Sequence, residues 1–217
     1  MKIIICSAGT YMNYPIKQIS ISEDLTLYLP IPEAIRPAYE KTLSAEGEIP
    51  FPYWARVWPS SIALTSYLAV NKHLISNKKV LEIGAGTGLP SFSIARMAAS
   101  VIISDHSTDA VELMEKNIAY LELDNVQALC LDWNNFPEDI HAEVVLLSDI
   151  NYAPGEFDSL LLLIERFLAI GATVIISTPQ RIMGVPFALQ LAPYIESKAE
   201  LMAEDTSISL FVLSMKN

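Results

Sequence analysis

The sequence predicts an α/β fold: a doubly wound, mainly parallel seven-stranded sheet with an antiparallel C-terminal strand pair and an N-terminal extension. Three observations predict it. From about residue 59 onward, apolar runs typical of buried strands alternate with helical patterns, and that alternation favours a parallel sheet covered on both faces. One of these strands ends in a glycine-rich turn. The last two strand-like runs follow each other with no helix between them, which predicts an antiparallel pair at one edge.

The 217 residues divide into an extension, 1–57, and an α/β domain, 58–217. The extension is rich in prolines and turn residues. Within it, two short strand-like runs flank Glu23 and Asp24, which predicts a β-hairpin. The remainder of the extension is predicted to be irregular. We expect the extension to lie on the substrate or lid side of the domain; the sequence leaves open whether it acts as a lid.

In the domain, strands and helices are predicted from apolar periodicity and from capping residues. A helix opens at Pro59, because proline is tolerated in the first turn of a helix, and Gly171 closes a later helix. The predicted helices after the first are 89–98, 107–123, 157–168 and 186–194. The predicted strands are 79–83, 101–104, 126–131, 142–148, 173–177, 197–202 and 207–214.

The charge balance narrows the range of partners. Twenty-five acidic against fourteen basic residues give a formal charge of −11, which argues against binding a nucleic-acid backbone and favours a basic partner. No apolar run approaches the length of a membrane span, and the start of the chain does not resemble a signal peptide. We therefore expect a cytoplasmic protein that binds no membrane. The three histidines show no metal-ligand spacing, so no metal site is predicted.

The most informative stretch is the turn after the strand at 79–83. Gly84, Gly86 and Gly88 stand at alternate positions, where glycine permits a tight turn and close approach of a ligand to the backbone. The dinucleotide fingerprint requires a glycine where this chain has Leu89. Glu82, just before the turn, would repel a pyrophosphate. The turn therefore favours a cationic or zwitterionic ligand over a dinucleotide.

Carboxylates also follow the next two strands. Asp105 ends the second strand of the domain, and Asp132 ends the third, directly before Trp133. The carboxyl ends of parallel strands form the ligand-binding edge of an open α/β sheet. Asp105 stands where a ribose would lie, and Asp132 with Trp133 pairs a hydrogen-bond acceptor with a flat apolar face for adenine. The alternative is that both aspartates only cap the elements that follow them.

These residues resemble a known family. The stretch from Glu82 to Gly88 is similar to the first motif of the class I, seven-β-strand S-adenosylmethionine-dependent methyltransferases, which have a Rossmann-like fold. A narrower resemblance links the chain to the lysine-methyltransferase-like group that also contains relatives of nicotinamide N-methyltransferase. That resemblance rests on residues 55–61, on the turn at 131–133, and on a D-x-x-Y motif at Asp149 and Tyr152.

The resemblance implies S-adenosyl-L-methionine as the cofactor and assigns binding roles to seven residues: Gly84 and Gly86 at its methionine part, Glu82 near its ammonium, Asp105 at its ribose, Asp132 and Trp133 at its adenine, and Trp58 as a cover. It also implies that Asp149 and Tyr152 are catalytic. A lysine acceptor, with a free pKa of about 10.4, must lose a proton first, and a carboxylate and a phenol could position the amine for that step. Asp149 could instead cap a turn, and Tyr152 could only pack.

The leading hypothesis is an N-methyltransferase that acts on a lysine side chain of a protein. A small-molecule amine is the alternative acceptor, and a catalytically silent cofactor-binding module is a third possibility. The sequence lacks the [DN]-P-P-[FYW] motif typical of enzymes that methylate the amino groups of bases, which again argues against a nucleic-acid substrate. Leu89 and Glu82 disfavour a nicotinamide-dinucleotide oxidoreductase.

Overall fold

The computed structural model describes residues 14–151, 153–180 and 185–215. An N-terminal hairpin pairs β1 (Ile16–Ser20) with β2 (Thr26–Pro30). The main sheet has seven strands in the order β5-β4-β3-β6-β7-β9-β8. Their bounds are β3 Lys79–Ile83, β4 Ser100–Asp105, β5 Val126–Cys130, β6 Val144–Ser148, β7 Thr173–Pro179, β8 Ile195–Ala203 and β9 Thr206–Leu213. Strands β3 to β7 pair in parallel, and β9 is antiparallel to both of its neighbours. The predicted fold class is confirmed.

Six α-helices accompany the strands in the described ranges. They are α1 Pro32–Glu46, α2 Pro59–Val70, α3 Leu89–Ile94, α4 Thr108–Tyr120, α5 Phe157–Ala169 and α6 Val185–Leu191. Side chains of a strand point alternately to its two faces, so neighbouring residues of β3 enter different cores. Val80 packs in the core beneath α2, α3 and α4, whereas Leu81 packs in the core beneath α5 and α6. The sheet is therefore covered on both faces.

Helix α1 differs from the irregular structure that the sequence predicts for this part of the extension. Its first residue is Pro32, at a position where the missing amide hydrogen costs no helical bond. Pro37 lies inside the helix and removes one such bond. The helix ends at Glu46 and is capped by Gly47, whose φ is 90°. The prediction failed because two prolines, normally a sign of irregular chain, are here accommodated within one helix.

The hairpin is attached to the domain through one side chain of α4. Asn117, which is buried, accepts a hydrogen bond from the Tyr28 amide at 2.7 Å and donates one to the Tyr28 carbonyl at 3.0 Å. Leu27 and Leu29 on the same strand pack into the core beneath α4. The Tyr28 ring meets Tyr120 edge-on at 5.0 Å between centroids. The hairpin is therefore part of the packed structure.

No described helix combines the length and the apolar character that crossing a membrane requires.

Candidate active site

The glycine turn lies between β3 and α3. Gly84 and Gly86 have φ values of 64° and 56°, a left-handed conformation that glycine adopts without strain. A Cβ on Gly86 would lie 3.1 Å from the backbone oxygen of Trp54. A Cβ on Gly84 would lie 3.2 Å from the Trp133 ring. Glycine is thus required here both by the backbone conformation and by close neighbours from two other segments.

A cavity of about 330 Å³ opens beside this turn. Six of the nine residues that the sequence predicts for the site line it: Trp58, Gly84, Gly86, Asp105, Trp133 and Asp149. They come from the segment before α2, from the turn after β3, and from the ends of β4, β5 and β6. The carboxyl edge of the parallel sheet therefore forms one concave site, closed on one side by the extension.

Asp105 is buried at the end of β4, and its carboxylate is held by backbone donors. One oxygen accepts a hydrogen bond from Gly86 N at 2.9 Å, and the other accepts one from Ser107 N at 2.9 Å. The Nδ1 atom of the exposed His106 lies 3.4 Å from the second oxygen. Each carboxylate oxygen can accept two hydrogen bonds, so Asp105 can still accept from a ligand hydroxyl.

Two tryptophans contribute aromatic walls to the cavity. Trp58 precedes α2, and its indole nitrogen donates to the Tyr53 carbonyl at 3.0 Å. The guanidinium of Arg56 lies 4.8 Å from the Trp58 ring centroid, within the range of a cation–π contact. Trp133 lies beside Gly84 and faces the cavity from the turn after β5.

Asp149 follows β6 and is buried in the cavity wall with a φ of 56°. A non-glycine residue in this region is uncommon, although aspartate and asparagine tolerate it best. Its amide donates to the Ser177 carbonyl of β7 at 3.0 Å. Two residues later, Asn151 accepts a hydrogen bond from the Thr178 hydroxyl at 2.7 Å. Tyr152, the second predicted catalytic residue, lies outside the described residues.

Two predicted cofactor ligands do not line the cavity. Asp132 is exposed, and its carboxylate accepts a hydrogen bond from Asn134 N at 2.9 Å, which is the capping role that the sequence left open. Glu82 is fully buried behind the turn, where one carboxylate oxygen accepts from the amide and the hydroxyl of Ser91. Its other oxygen has no hydrogen-bond partner among the described residues.

Burial dominates the chemistry of Glu82. It raises the pKa of the carboxyl from 4.5 to about 7, against the opposing effect of the two hydrogen bonds from Ser91 and with a further rise from the nearby negative charge of Asp105. The buried Glu82 carboxyl therefore titrates near neutral pH in the folded protein.

The structure adds cavity residues that the sequence did not single out. From the extension come Tyr53, Trp54 and Arg56, and from the strand ends come His106, Ser148 and Ile150. Trp54 packs against the core and also lines the cavity. Their closeness in sequence to predicted site residues could have indicated them: residues 53–56 lie just before Trp58, and His106 follows Asp105.

Within the described ranges, no three side chains of metal-ligating type come together.

The comparison with protein families identifies one match. A family described as lysine methyltransferase matches residues 40–186, a span that includes the glycine turn, the aromatic segment before α2 and the loop after β6.

Two curated relatives show what similar proteins do. The human histone-arginine methyltransferase METTL23 is 32% identical over 48% of this chain and 58% of its own length. The Saccharomyces cerevisiae protein-lysine N-methyltransferase EFM2 is 30% identical over 67% of this chain and 40% of its own length. The chain thus spans about half the length of the curated relatives it matches.

Solved structures support the fold. A human methyltransferase 10 domain containing protein superposes with a TM-score of 0.61 at 14% identity, covering 86% of this chain and 99% of that one.

Proposed function

Because this chain belongs to the lysine methyltransferase family, we propose that it is an S-adenosylmethionine-dependent N-methyltransferase whose acceptor is a lysine side chain of a protein. The observation that carries the proposal is the position of Asp149. Asp149 lines the same cavity as the glycine turn and Asp105. One cavity therefore offers groups suited to a nucleoside and a carboxylate suited to an amine.

The described residues fit the cofactor in three respects. Asp105 can accept hydrogen bonds from the ribose hydroxyls while it keeps its two backbone donors. Trp133 offers a flat apolar face for the adenine, and Trp58 offers one that would cover the cofactor. Gly84 and Gly86 leave the backbone accessible to the methionine part. When bound, the cofactor supplies an electrophilic methyl group on a sulfonium.

Glu82 and Asp132 support their proposed roles less directly. The sequence places Glu82 near the cofactor ammonium, but its carboxyl lies behind the glycine turn, so any such effect would act over a distance rather than by contact. Asp132 is exposed and already caps the turn that carries Trp133. We assign it the positioning of that turn.

The residues of the chain prepare the acceptor in this proposal. A lysine ammonium must lose a proton to water before its nitrogen can act as a nucleophile. The Asp149 carboxylate accepts a hydrogen bond from the amine, and Tyr152, which shares the D-x-x-Y motif, directs the lone pair. Methyl transfer to an amine needs orientation and exclusion of water more than covalent help. Tyr53, Trp54 and Trp58 exclude water from the side of the extension.

An arginine acceptor is a second candidate. The observation that favours it is the set of relatives named histone-arginine methyltransferases, which are 30–32% identical to the chain. Both acceptors are cations, and the acidic balance of the chain, −11, suits a basic protein in either case.

The test uses the purified protein with labelled S-adenosylmethionine. Calorimetry first measures cofactor binding, and a cell extract then serves as the source of acceptors. We expect label in protein, and methyllysine after complete hydrolysis. Methylarginine would establish the second candidate, and label confined to small molecules would establish an amine acceptor outside proteins. Absence of cofactor binding would overturn the proposal.

A further inference from the structure

The carboxylate of Glu156 connects two segments that meet at the cavity. Glu156 lies at the N-terminal end of α5, after the loop that carries Asp149. One of its oxygens accepts a hydrogen bond from the Trp133 indole nitrogen at 2.9 Å and a second from the Asn134 side-chain amide at 3.1 Å. These donors, the indole first, lower the pKa of Glu156. The carboxylate is therefore ionised at neutral pH and bound to the edge of the indole.

The indole that Glu156 holds is a wall of the cavity. Trp133 is half-buried, and its ring lies so close to Gly84 that a Cβ there would come within 3.2 Å of it. The Ile150 side chain borders the same point, at 3.1 Å from that Cβ. A tryptophan ring that is partly exposed has alternative rotamers. The hydrogen bond from the nitrogen at its edge selects the rotamer in which the ring stands beside the glycine turn.

We propose that Glu156 is a positioning residue: it fixes the Trp133 ring for the adenine of the cofactor and ties this wall to the loop that carries Asp149. This inference rests on the proposed function, since it assigns the ring to the nucleoside. Glu156 does not line the cavity, so it acts through Trp133. The same hydrogen bond joins the turn after β5 to the start of α5. The turn that carries Trp133 and the loop that carries Asp149 are therefore held together by Glu156.

The first test replaces Glu156 by serine and by glutamine. Serine is favoured at the N-cap of a helix, so Glu156→Ser keeps α5 intact but cannot reach the indole. Glutamine retains a side-chain oxygen that can accept both hydrogen bonds. Calorimetry with S-adenosylhomocysteine should show a dissociation constant about five to ten times higher for Glu156→Ser. Glu156→Gln should stay within about twofold of the unmodified protein, because it restores the bonds without the charge.

The matched control is Glu165→Ser on the same helix. Glu165 also accepts a hydrogen bond from an aromatic side chain, the Tyr194 hydroxyl at 2.8 Å, but neither residue lines the cavity. This variant should bind S-adenosylhomocysteine as the unmodified protein does.

The second test removes the donor. Trp133→Phe keeps an aromatic ring but has no indole N–H. In this background Glu156→Ser should change the dissociation constant by less than about twofold, since the bond to the ring is already absent and only the bond from Asn134 remains to be lost. An equal effect of Glu156→Ser in both backgrounds, unchanged affinity of the single variant, or failure of glutamine to restore binding would each overturn the inference. Failure of the unmodified protein to bind S-adenosylhomocysteine would instead count against the proposed function.

Discussion

Two glycines with similar backbone angles have different surroundings. Gly86 has a φ of 56° and Gly171 a φ of 85°, both in the left-handed region. A Cβ on Gly171 would meet nothing within 4 Å, whereas one on Gly86 would press on the Trp54 backbone. Gly171 is thus required by conformation alone, and Gly86 by conformation and by contact.

We therefore expect Gly171→Ala to lower the free energy of unfolding by about 1 kcal/mol, the cost of a side chain at positive φ. Gly86→Ala should lose about 1 kcal/mol more, because Trp54 must shift, and its affinity for S-adenosylmethionine should fall as well. Urea unfolding and calorimetry measure the two effects. Equal losses of stability and unchanged cofactor affinity in both variants would show that the Trp54 backbone does not restrict a side chain at residue 86.

Asp149 permits a substitution that separates chemistry from folding. Asparagine tolerates a positive φ, and its side chain has nearly the same shape as aspartate. Asp149→Asn should therefore fold and bind S-adenosylmethionine normally, while the rate of methyl transfer falls by about a hundredfold or more, because in the proposed mechanism a neutral amide cannot stabilise the positive charge that develops on the acceptor nitrogen as a carboxylate does.

Single-turnover rates and calorimetry on Asp149→Asn provide the measurement. A parallel loss of cofactor affinity and rate would instead place Asp149 in the cofactor site.

At the scale of elements, Asn117 performs the role of a neighbouring strand. Its side-chain amide pairs with both the N–H and the C=O of Tyr28, as a peptide group would. The β2 strand of the hairpin faces α4 at Tyr28. The Asn117 side chain therefore supplies the hydrogen-bond partners that a neighbouring strand would give to the Tyr28 amide and carbonyl.

Asn117→Ala should lower the free energy of unfolding by about 2 kcal/mol, because it leaves two partly buried backbone groups without partners. Asn117→Asp keeps the acceptor for the Tyr28 amide but loses the donor and adds a buried negative charge, so the protection of the Tyr28 amide, and not the total stability, is the quantity to compare. Hydrogen exchange of the Tyr28 amide should accelerate strongly in Asn117→Ala and less in Asn117→Asp. Equal protection in both variants would show that the hairpin is held by packing instead.

Prediction from the sequence succeeded where periodicity and glycine chemistry act locally. The seven strands and the turn at Gly84 and Gly86 follow from patterns within a few residues. Helix α1 was missed because Pro32 and Pro37 mark turns in most contexts. Its apolar residue Ile35 is buried in a small cluster with Tyr14 and Ala55, which lie outside the helix. Glu82 was expected beside the ligand because its position in the motif is visible, but the direction of its side chain, toward Ser91, depends on how α3 packs.

For the molecule as a whole, the buried carboxyl of Glu82 links stability to pH. Its pKa is about 7 in the folded chain and 4.5 when unfolded, so the folded state binds more protons between these values. The stability that this group contributes is fully present below about pH 4.5 and is lost as pH rises through about 7. Above that, a charge is buried at a cost of roughly 3 kcal/mol.

Glu82→Gln should abolish this dependence, because glutamine stays neutral. The free energy of unfolding of the variant, relative to the unmodified protein, should therefore rise by up to roughly 3 kcal/mol between pH 5 and pH 8. Urea unfolding at several pH values measures the difference, and any constant cost of the new amide cancels in the comparison. Parallel curves for the two proteins would show that Glu82 does not titrate in this range.

The strand order also has a consequence for synthesis. Strand β9 lies between β7 and β8 in the sheet, yet the ribosome makes β8 first. In the nascent chain, β8 has no partner strand until residues 206–213 have emerged, and the edge of β7 that pairs with β9 stays unpaired meanwhile. Elongation takes roughly a second for a segment of this length. During that interval the unpaired edge of β7 can pair with a strand of another chain.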